Sequence, residues 1–418
     1  MMNFDCDVLI VGAGPVGSTI AYQLGKNGLD VVIVEKKKQI GYPLQCAGIL
    51  SKHIFSFNDL PDEIILNNVK GAFLHTQSHI LNVEKESEVA YVIDRIAYDE
   101  FLLNRAVENG VKLINQKAID FDVENGIVYL SDNKKIQAKI IIGCDGYNSV
   151  LSQKMGNEQL TFNASQMLVR IDEVSVETFR DSKKNINDYV DTYIMEEILP
   201  GFIWNIPVGN NHYRVGLFSQ HSHKKQDEIL TDFLNNHFEY EIIEKYKGFI
   251  PIFNEKNIIV RNRAILIGDA AAQVKPTSGG GLLLGFDGCN IASRYVLEAI
   301  ESENIDILKC YEKQFNKKYL REFNYQFKVQ KTLNLLSDKD LDYLFLKLKE
   351  NDCEKLISDY GDMDTQSTLV KEFIKRGLLF KIIPTFLFKK ITNIFGFINK
   401  GDCFQLQSKA LCHISFQI

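Results

Sequence analysis

The chain has 418 residues, 45% of them hydrophobic and 24% charged, with 48 basic against 54 acidic side chains and a formal net charge of −6. That length predicts two or three domains, and the apolar content excludes a disordered or fibrous chain. The acidic balance gives no electrostatic footing for nucleic acid, and no apolar run reaches the ~20 residues that a spanning helix needs.

The first chemistry lies at the N-terminus. Val8 to Val11 form an apolar β run, followed by Gly12-Ala13-Gly14-Pro15-Val16-Gly17, a helical stretch over 18–28, and a second β run, Val31 to Val34, ending at Glu35. Strand, GxGxxG, helix, strand and acid in this order are what a dinucleotide site requires. Gly12 permits the tight turn, Gly14 lets a pyrophosphate approach the backbone, and Gly17 lets helix and strand pack closely. Pro15 and Val16 open a helix whose free N–H groups and positive end face the phosphates. Glu35, with Lys36 beside it, is the expected acceptor for the adenosine ribose hydroxyls.

Further along come Gly41-Tyr42-Pro43-Leu44-Gln45-Cys46-Ala47-Gly48, then Asp94-Arg95 at a helix start, then Ala118. A buried strand, Ile140 to Gly143, runs into Cys144-Asp145-Gly146. Pro200-Gly201-Phe202-Ile203-Trp204-Asn205-Ile206-Pro207 contains the only Trp, and Tyr213 to Phe218 alternates like a strand. Ala264 to Ile267 leads into Gly268-Asp269-Ala270-Ala271, and Lys275-Pro276-Thr277-Ser278-Gly279-Gly280-Gly281-Leu282 follows. Residues after about 330 read as helical. Over 378–391 an apolar stretch carries lysines and is interrupted by Pro384. It suits a membrane interface, or helices that close a substrate cavity. The eight cysteines include no CxxC pair and no zinc spacing, so no metal is expected. Reduced thiols in a cytoplasmic protein without a secretory leader are the expectation.

The segments at Arg95, Asp145 and Asp269 resemble the flavoprotein group that includes para-hydroxybenzoate hydroxylase. The resemblance implies FAD, with Asp269 on the ribitol and Arg95 near the phosphates of the flavin nucleotide. Cys46, Ala47, Ala118, Asp145, Gly280, Gly281 and Leu282 complete the implied cofactor site. The helix opened by Gly280 and Gly281 would direct its positive end at the flavin edge that gains negative charge on reduction. The order of the motifs implies an α/β fold. A Rossmann-like FAD-binding domain is assembled from 1–68, 93–161 and 259–330. A β-sheet substrate domain is inserted as 69–92 and 162–258, and a helical region covers 331–418.

Pro43 with Cys46, the triple glycine, and Trp204 resemble the geranylgeranyl reductase family. Its aromatic pattern is Tyr-x-Trp-x-Phe-Pro followed by Gly-x-Gly. Here Phe202 and Ile206 replace Tyr and Phe, Phe218 replaces the last Gly, and the glycine after Cys46 has moved to Gly48. The resemblance implies an FAD-dependent reductase that saturates isoprenoid double bonds in archaeal-type ether lipid synthesis. Cys46 would position the substrate or relay its proton, and Phe202, Trp204, Ile206 and Pro207 would wall the prenyl chain. Electrons would come from NAD(P)H, a ferredoxin or a deazaflavin, and the enzyme would work from the membrane surface. The alternative on the same fold is a flavin monooxygenase or halogenase, for which Lys70 or Lys85 would be the essential lysine.

Overall fold

The computed structural model describes residues 4–382. Strand β1 (Cys6–Val11), helix α1 (Pro15–Lys26) and strand β2 (Val31–Val34) form the expected unit. The helix starts earlier than the sequence suggested, because Pro15 takes the first helical turn, where a missing N–H costs nothing. The chain continues through β3 (Ile49–Ser51), β4 (Ile65–Val69), β5 (Gly71–His75), β6 (Ile80–Glu84) and β7 (Ala90–Ile93) into α2 (Arg95–Glu108). Next come β8 (Lys112–Ile114), β9 (Ala118–Asp122), β10 (Ile127–Leu130), β11 (Lys135–Gly143) and α3 (Val150–Lys154). The second half holds β12 (Thr161–Ile171), α4 (Glu173–Arg180), β13 (Tyr189–Tyr193), β14 (Ile203–Gly209), β15 (His212–Ser219), α5 (His223–His237) and β16 (Tyr240–Pro251). After β17 (Val260–Arg261) and β18 (Ala264–Leu266) the chain is helical: α6 (Leu282–Glu301), α7 (Lys309–Leu333), α8 (Asp338–Glu350), α9 (Cys353–Tyr360), α10 (Ser367–Lys375) and α11 (Leu378–Ile382).

The first sheet runs β18-β11-β1-β2-β8 with all neighbours parallel, and β17 closes one edge antiparallel. Its central strands read as unbroken apolar runs because both faces are buried: Val8, Leu9, Ile10, Ile140, Ile141 and Ile142 are at most 1% exposed. Helix α1 packs against both α2 and α6. Segments far apart in sequence thus share one core, as the motif order implied.

The second sheet runs β16-β12-β15-β14-β13-β5-β6 and is antiparallel except where β13 meets β5. Its residues alternate between two faces. Met167, Val169, Ile203, Val215 and Leu217 pack under α5, on Ile229, Leu230 and Phe233. Ala164, Gln166, Trp204 and Ile206 point the other way and line a cavity. A small sheet, β3-β7-β4, pairs Ile49–Ser51 with Ala90–Val92 and so straddles the expected borders at 68/69 and 92/93.

Helices α8 to α10 are fastened to both larger parts. Glu354 and Ser358 accept the N–H groups of Asn82 and Glu84 at 2.8 and 3.1 Å, which caps the free edge of β6. Glu322 of α7 accepts the N–H of Gln366 at 2.7 Å. The stretch 383–391 with Pro384, and Cys403 and Cys412, lie outside the described residues. Among the described residues no helix is long and apolar enough to cross a membrane.

One buried ionic cluster lies against the second sheet, on β5, β13 and β14. Asp191 accepts from Arg180 Nε and Nη2, each at 2.9 Å, from Asn205 at 3.0 Å, and faces His75 Nε2 at 3.1 Å. Burial alone would raise the Asp191 carboxyl, but Arg180 and His75 outweigh it and hold it below the ordinary carboxylate range. The depressed value means that the pair's contribution is complete above the unfolded carboxylate value of ~3.9 and is lost as pH falls below it. Asp191→Asn leaves Arg180 buried without a counter-charge, so urea unfolding at pH 7 should show a loss of about 3–5 kcal/mol.

Candidate active site

A cavity of about 1210 Å³ runs between the two sheets, from Gly12, Gly14 and Glu35 at one end to Cys46, Trp204 and Gly280 at the other. A pocket for one small ligand measures roughly 300–1,000 Å³, so this one has room for a large cofactor and a substrate together.

At the N-terminal end the backbone is crowded to its limit. Gly12 has φ of +100°, and a Cβ there would lie 2.4 Å from the Cys144 carbonyl oxygen. A Cβ on Gly17 would lie 1.9 Å from the Gly12 oxygen, so Gly17 is a packing residue away from the cavity. A Cβ on Gly14 would meet nothing within 4 Å: the space beside it is cavity, open to a ligand at the start of α1. Glu35 is pinned at the end of β2, where Oε2 accepts from Ala13 N at 2.8 Å and Oε1 from Lys37 N at 2.7 Å. Each oxygen keeps a lone pair for a hydroxyl donor. Pro15, Val16, Lys36 and Ala118 also line this end.

Two acids in the middle lack what a buried carboxylate normally has. Asp145 Oδ2 accepts from Val150 N at 3.0 Å, but the buried Oδ1 has no partner among the described residues. Asp269 is exposed, yet the surface it exposes is cavity wall deep in the protein. Enclosure raises its carboxyl, and the Arg95 charge opposes this. Such groups are normally paired, and hydroxyl donors of a ligand would satisfy both. Arg95 forks onto Asp99 at 3.0–3.3 Å and also lies against the Cys46 sulfur.

At the far end a chain of hydrogen bonds crosses from the second sheet. Trp204 Nε1 donates to Gln166 Oε1 at 3.0 Å, and Gln166 Nε2 donates to the Cys46 carbonyl at 3.4 Å. Cys46 Sγ accepts from Gly48 N at 3.4 Å. The indole lies flat on β15 only because Gly216 has no Cβ, which would sit 2.5 Å from Trp204 Cζ2. Phe218, where the family pattern has Gly, packs edge-on to Phe202 at 5.2 Å. Phe202, Trp204, Ile206, Ala47 and Leu282 line the cavity; Pro207 is buried in β14 and does not.

Gly280 and Gly281 line the cavity ahead of α6, but their need for glycine is already set by the protein. A Cβ on Gly280 would lie 2.6 Å from Lys275 Cε, and one on Gly281 would lie 2.9 Å from Val274 Cγ1. Lys275 Nζ reaches past them to the Met363 carbonyl at 2.7 Å and Asp364 at 2.9 Å, and Asp364 also meets His53 at 3.0 Å. Sequence reasoning missed Gln166, His53 and Asp364, and it named Lys275 only as part of the glycine segment, since a single Gln, or a Lys and an Asp 89 positions apart, carries no local pattern. Lys70 pairs with Asp188 at 2.8 Å, and neither it nor Lys85 lines the cavity.

Residues 5–314 match the FAD binding domain family. The chain is 31% identical over 378 residues to digeranylgeranylglycerophospholipid reductase 1 of Methanococcoides burtonii, which covers 85% of this chain and 90% of that one. It is 30% identical over 409 residues to an uncharacterised protein of Methanocaldococcus jannaschii, covering 93% of this chain and 100% of that one. Among solved structures it resembles a geranylgeranyl bacteriochlorophyll reductase-like protein of Thermoplasma acidophilum. The TM-score is 0.78 at 25% identity, covering 93% of this chain and 99% of that one.

The cofactor of this fold is FAD. Glu35→Ala should weaken FAD binding by roughly 10- to 100-fold, the loss of about 1.5–3 kcal/mol of hydrogen bonding to a charged group, read by flavin fluorescence titration of the apoprotein. Folded into one cavity by one shared core, these motifs identify the chain as a member of the geranylgeranyl reductase family of FAD-dependent oxidoreductases.

Proposed function

We propose that this enzyme saturates the C=C bonds of geranylgeranyl chains in archaeal-type ether lipid synthesis. The observation that carries the reading is the meeting of Cys46 with an apolar wall of Phe202, Trp204 and Ile206 in the cavity that also holds the dinucleotide turn. The name of the Methanococcoides burtonii relative supports the lipid class. A prenyl chain offers only methyl and methylene surface, which an aromatic wall binds without leaving polar groups unpaired.

Bound and reduced, FAD supplies a hydride. The protein's part is to hold the alkene, exclude water and deliver a proton to the second carbon. Cys46 is the group we assign to the substrate's proton or its positioning. Glu35, Asp145 and Asp269 offer acceptors to cofactor hydroxyls, and the start of α1 receives the phosphates. A substrate of this kind resides in a membrane, so the enzyme would meet it at the membrane surface. The halogenase alternative loses its lysine, since Lys70 and Lys85 do not reach the cavity.

Anaerobic incubation of the reduced FAD-loaded enzyme with digeranylgeranylglycerophospholipid should add two hydrogens per alkene by mass spectrometry; no gain on any prenyl substrate sinks the proposal. Cys46→Ala should keep FAD and lose turnover by roughly 100-fold or more, the scale of a missing general acid. Unchanged turnover would remove Cys46 from the mechanism.

A further inference from the structure

Beside Cys46 lies a second guanidinium that the sequence did not bring to attention. Arg214, in β15, is 6% exposed. Its Nη1 donates to the Ala47 carbonyl at 3.0 Å and to the Ile93 carbonyl at 3.1 Å, and no carboxylate pairs with it among the described residues. A buried cation held by carbonyls alone is an expensive arrangement unless an anion arrives. Burial lowers the Arg214 guanidinium from its ordinary range, the Arg95 charge acts in the same direction, and the Asp94 carboxylate opposes both. Asp94 is already engaged, accepting the Ile96 and Ala97 N–H groups at the start of α2. Tyr246 donates to Glu244 at 2.7 Å. The other cation at the sulfur, Arg95, is matched by the forked Asp99 carboxylate. Of the two guanidinium groups near Cys46, Arg214 is therefore the one with no carboxylate within ion-pair distance among the described residues.

The glycine that has moved within the Cys46 segment belongs to the same arrangement. Gly48 has φ of +72°, and a Cβ there would lie 2.1 Å from Arg214 Nη1 and 3.0 Å from the Ile93 oxygen. Gly48 is the residue that lets the guanidinium in.

We propose that Arg214 is a positioning residue for the proton-transfer half of the reaction, its guanidinium balancing the negative charge left on sulfur when Cys46 gives up its proton. This rests on the reductase reading. The alkene carbon that receives no hydride takes the thiol proton: the S–H bond breaks, a C–H bond forms, and sulfur stays negative until a solvent proton restores it. Arg95, already paired, orients the thiol, and Arg214 holds the charge.

The test needs no lipid. Alkylation of Cys46 by iodoacetamide is measured at pH 7 in the FAD-loaded protein by peptide mass mapping, since the anion is the reacting form. Arg214→Gln keeps an N–H donor for the carbonyls but no charge, and should slow alkylation at least tenfold. Arg214→Lys keeps the charge and should stay within about threefold of the wild type. A merely structural role predicts that Gln and Lys behave alike. Equal rates in both variants, slow or fast, overturn the proposal. If the Gln variant does not hold FAD, the Lys variant alone decides: a tenfold loss in a folded, FAD-loaded Lys protein refutes the charge role. With a lipid substrate the Gln variant should lower kcat and leave KM near the wild-type value. Absence of lipid turnover in the wild type would sink the reductase reading and leave the alkylation result standing.

Discussion

Everything at this site hangs on the loop that carries Cys46 being held from two sides. Behind it stand the crowded glycine turn and α2, and in front stands the second sheet. Gln166 and Arg214 reach that loop through its backbone carbonyls, across separations of 120 and 167 residues. Backbone acceptors are obligatory partners once buried, so the loop cannot leave the sheet without orphaning them. The cavity is the space these ties hold open. It persists because its walls are regular sheets, the first with its central strands buried on both faces and the second packed on α5 from behind.

The cavity stores unmet polar demand. Asp145 keeps a buried oxygen without a partner, Asp269 is enclosed and opposed only by Arg95, and Glu35 is fixed with lone pairs to spare. The unpartnered Asp145 oxygen costs stability in the empty protein, and hydroxyl donors of a ligand would satisfy all three acids. FAD binding and folding are therefore linked, in the sense that what binds the native state alone stabilises it. Arg214 belongs to the same economy on the chemical side of the pocket.

The C-terminal helices are structural partners of this design. They cap the open edge of β6 and bring Asp364 onto Lys275 and His53 at the cavity wall. Burial would raise the Asp364 carboxyl, but Lys275 and His53 hold it down. The ionic contact thus closes one side of the pocket with charge that is already balanced, and leaves the apolar wall at Trp204 free for a substrate.

The amino-acid sequence alone determined the local parts: the glycine turn, the acid after β2, the strand–Asp segments at Asp145 and Asp269, and the Pro43–Cys46 and triple-glycine segments. These are readable because each is set by contacts within a few residues, where backbone sterics admit only certain residue types. Even the expectation that the FAD domain is assembled from separate segments followed from motif order. What only the tertiary structure decided is which side chains meet across the chain. Pro207 lies in the right motif but turns into the sheet, Gly280 answers to Lys275, and Gln166 and Arg214 have no motif at all. A strand's alternation tells that one face is buried, but not what lies opposite it. Only the packing of two sheets against one loop brought the Arg214 guanidinium beside the Cys46 segment and the cavity's aromatic wall.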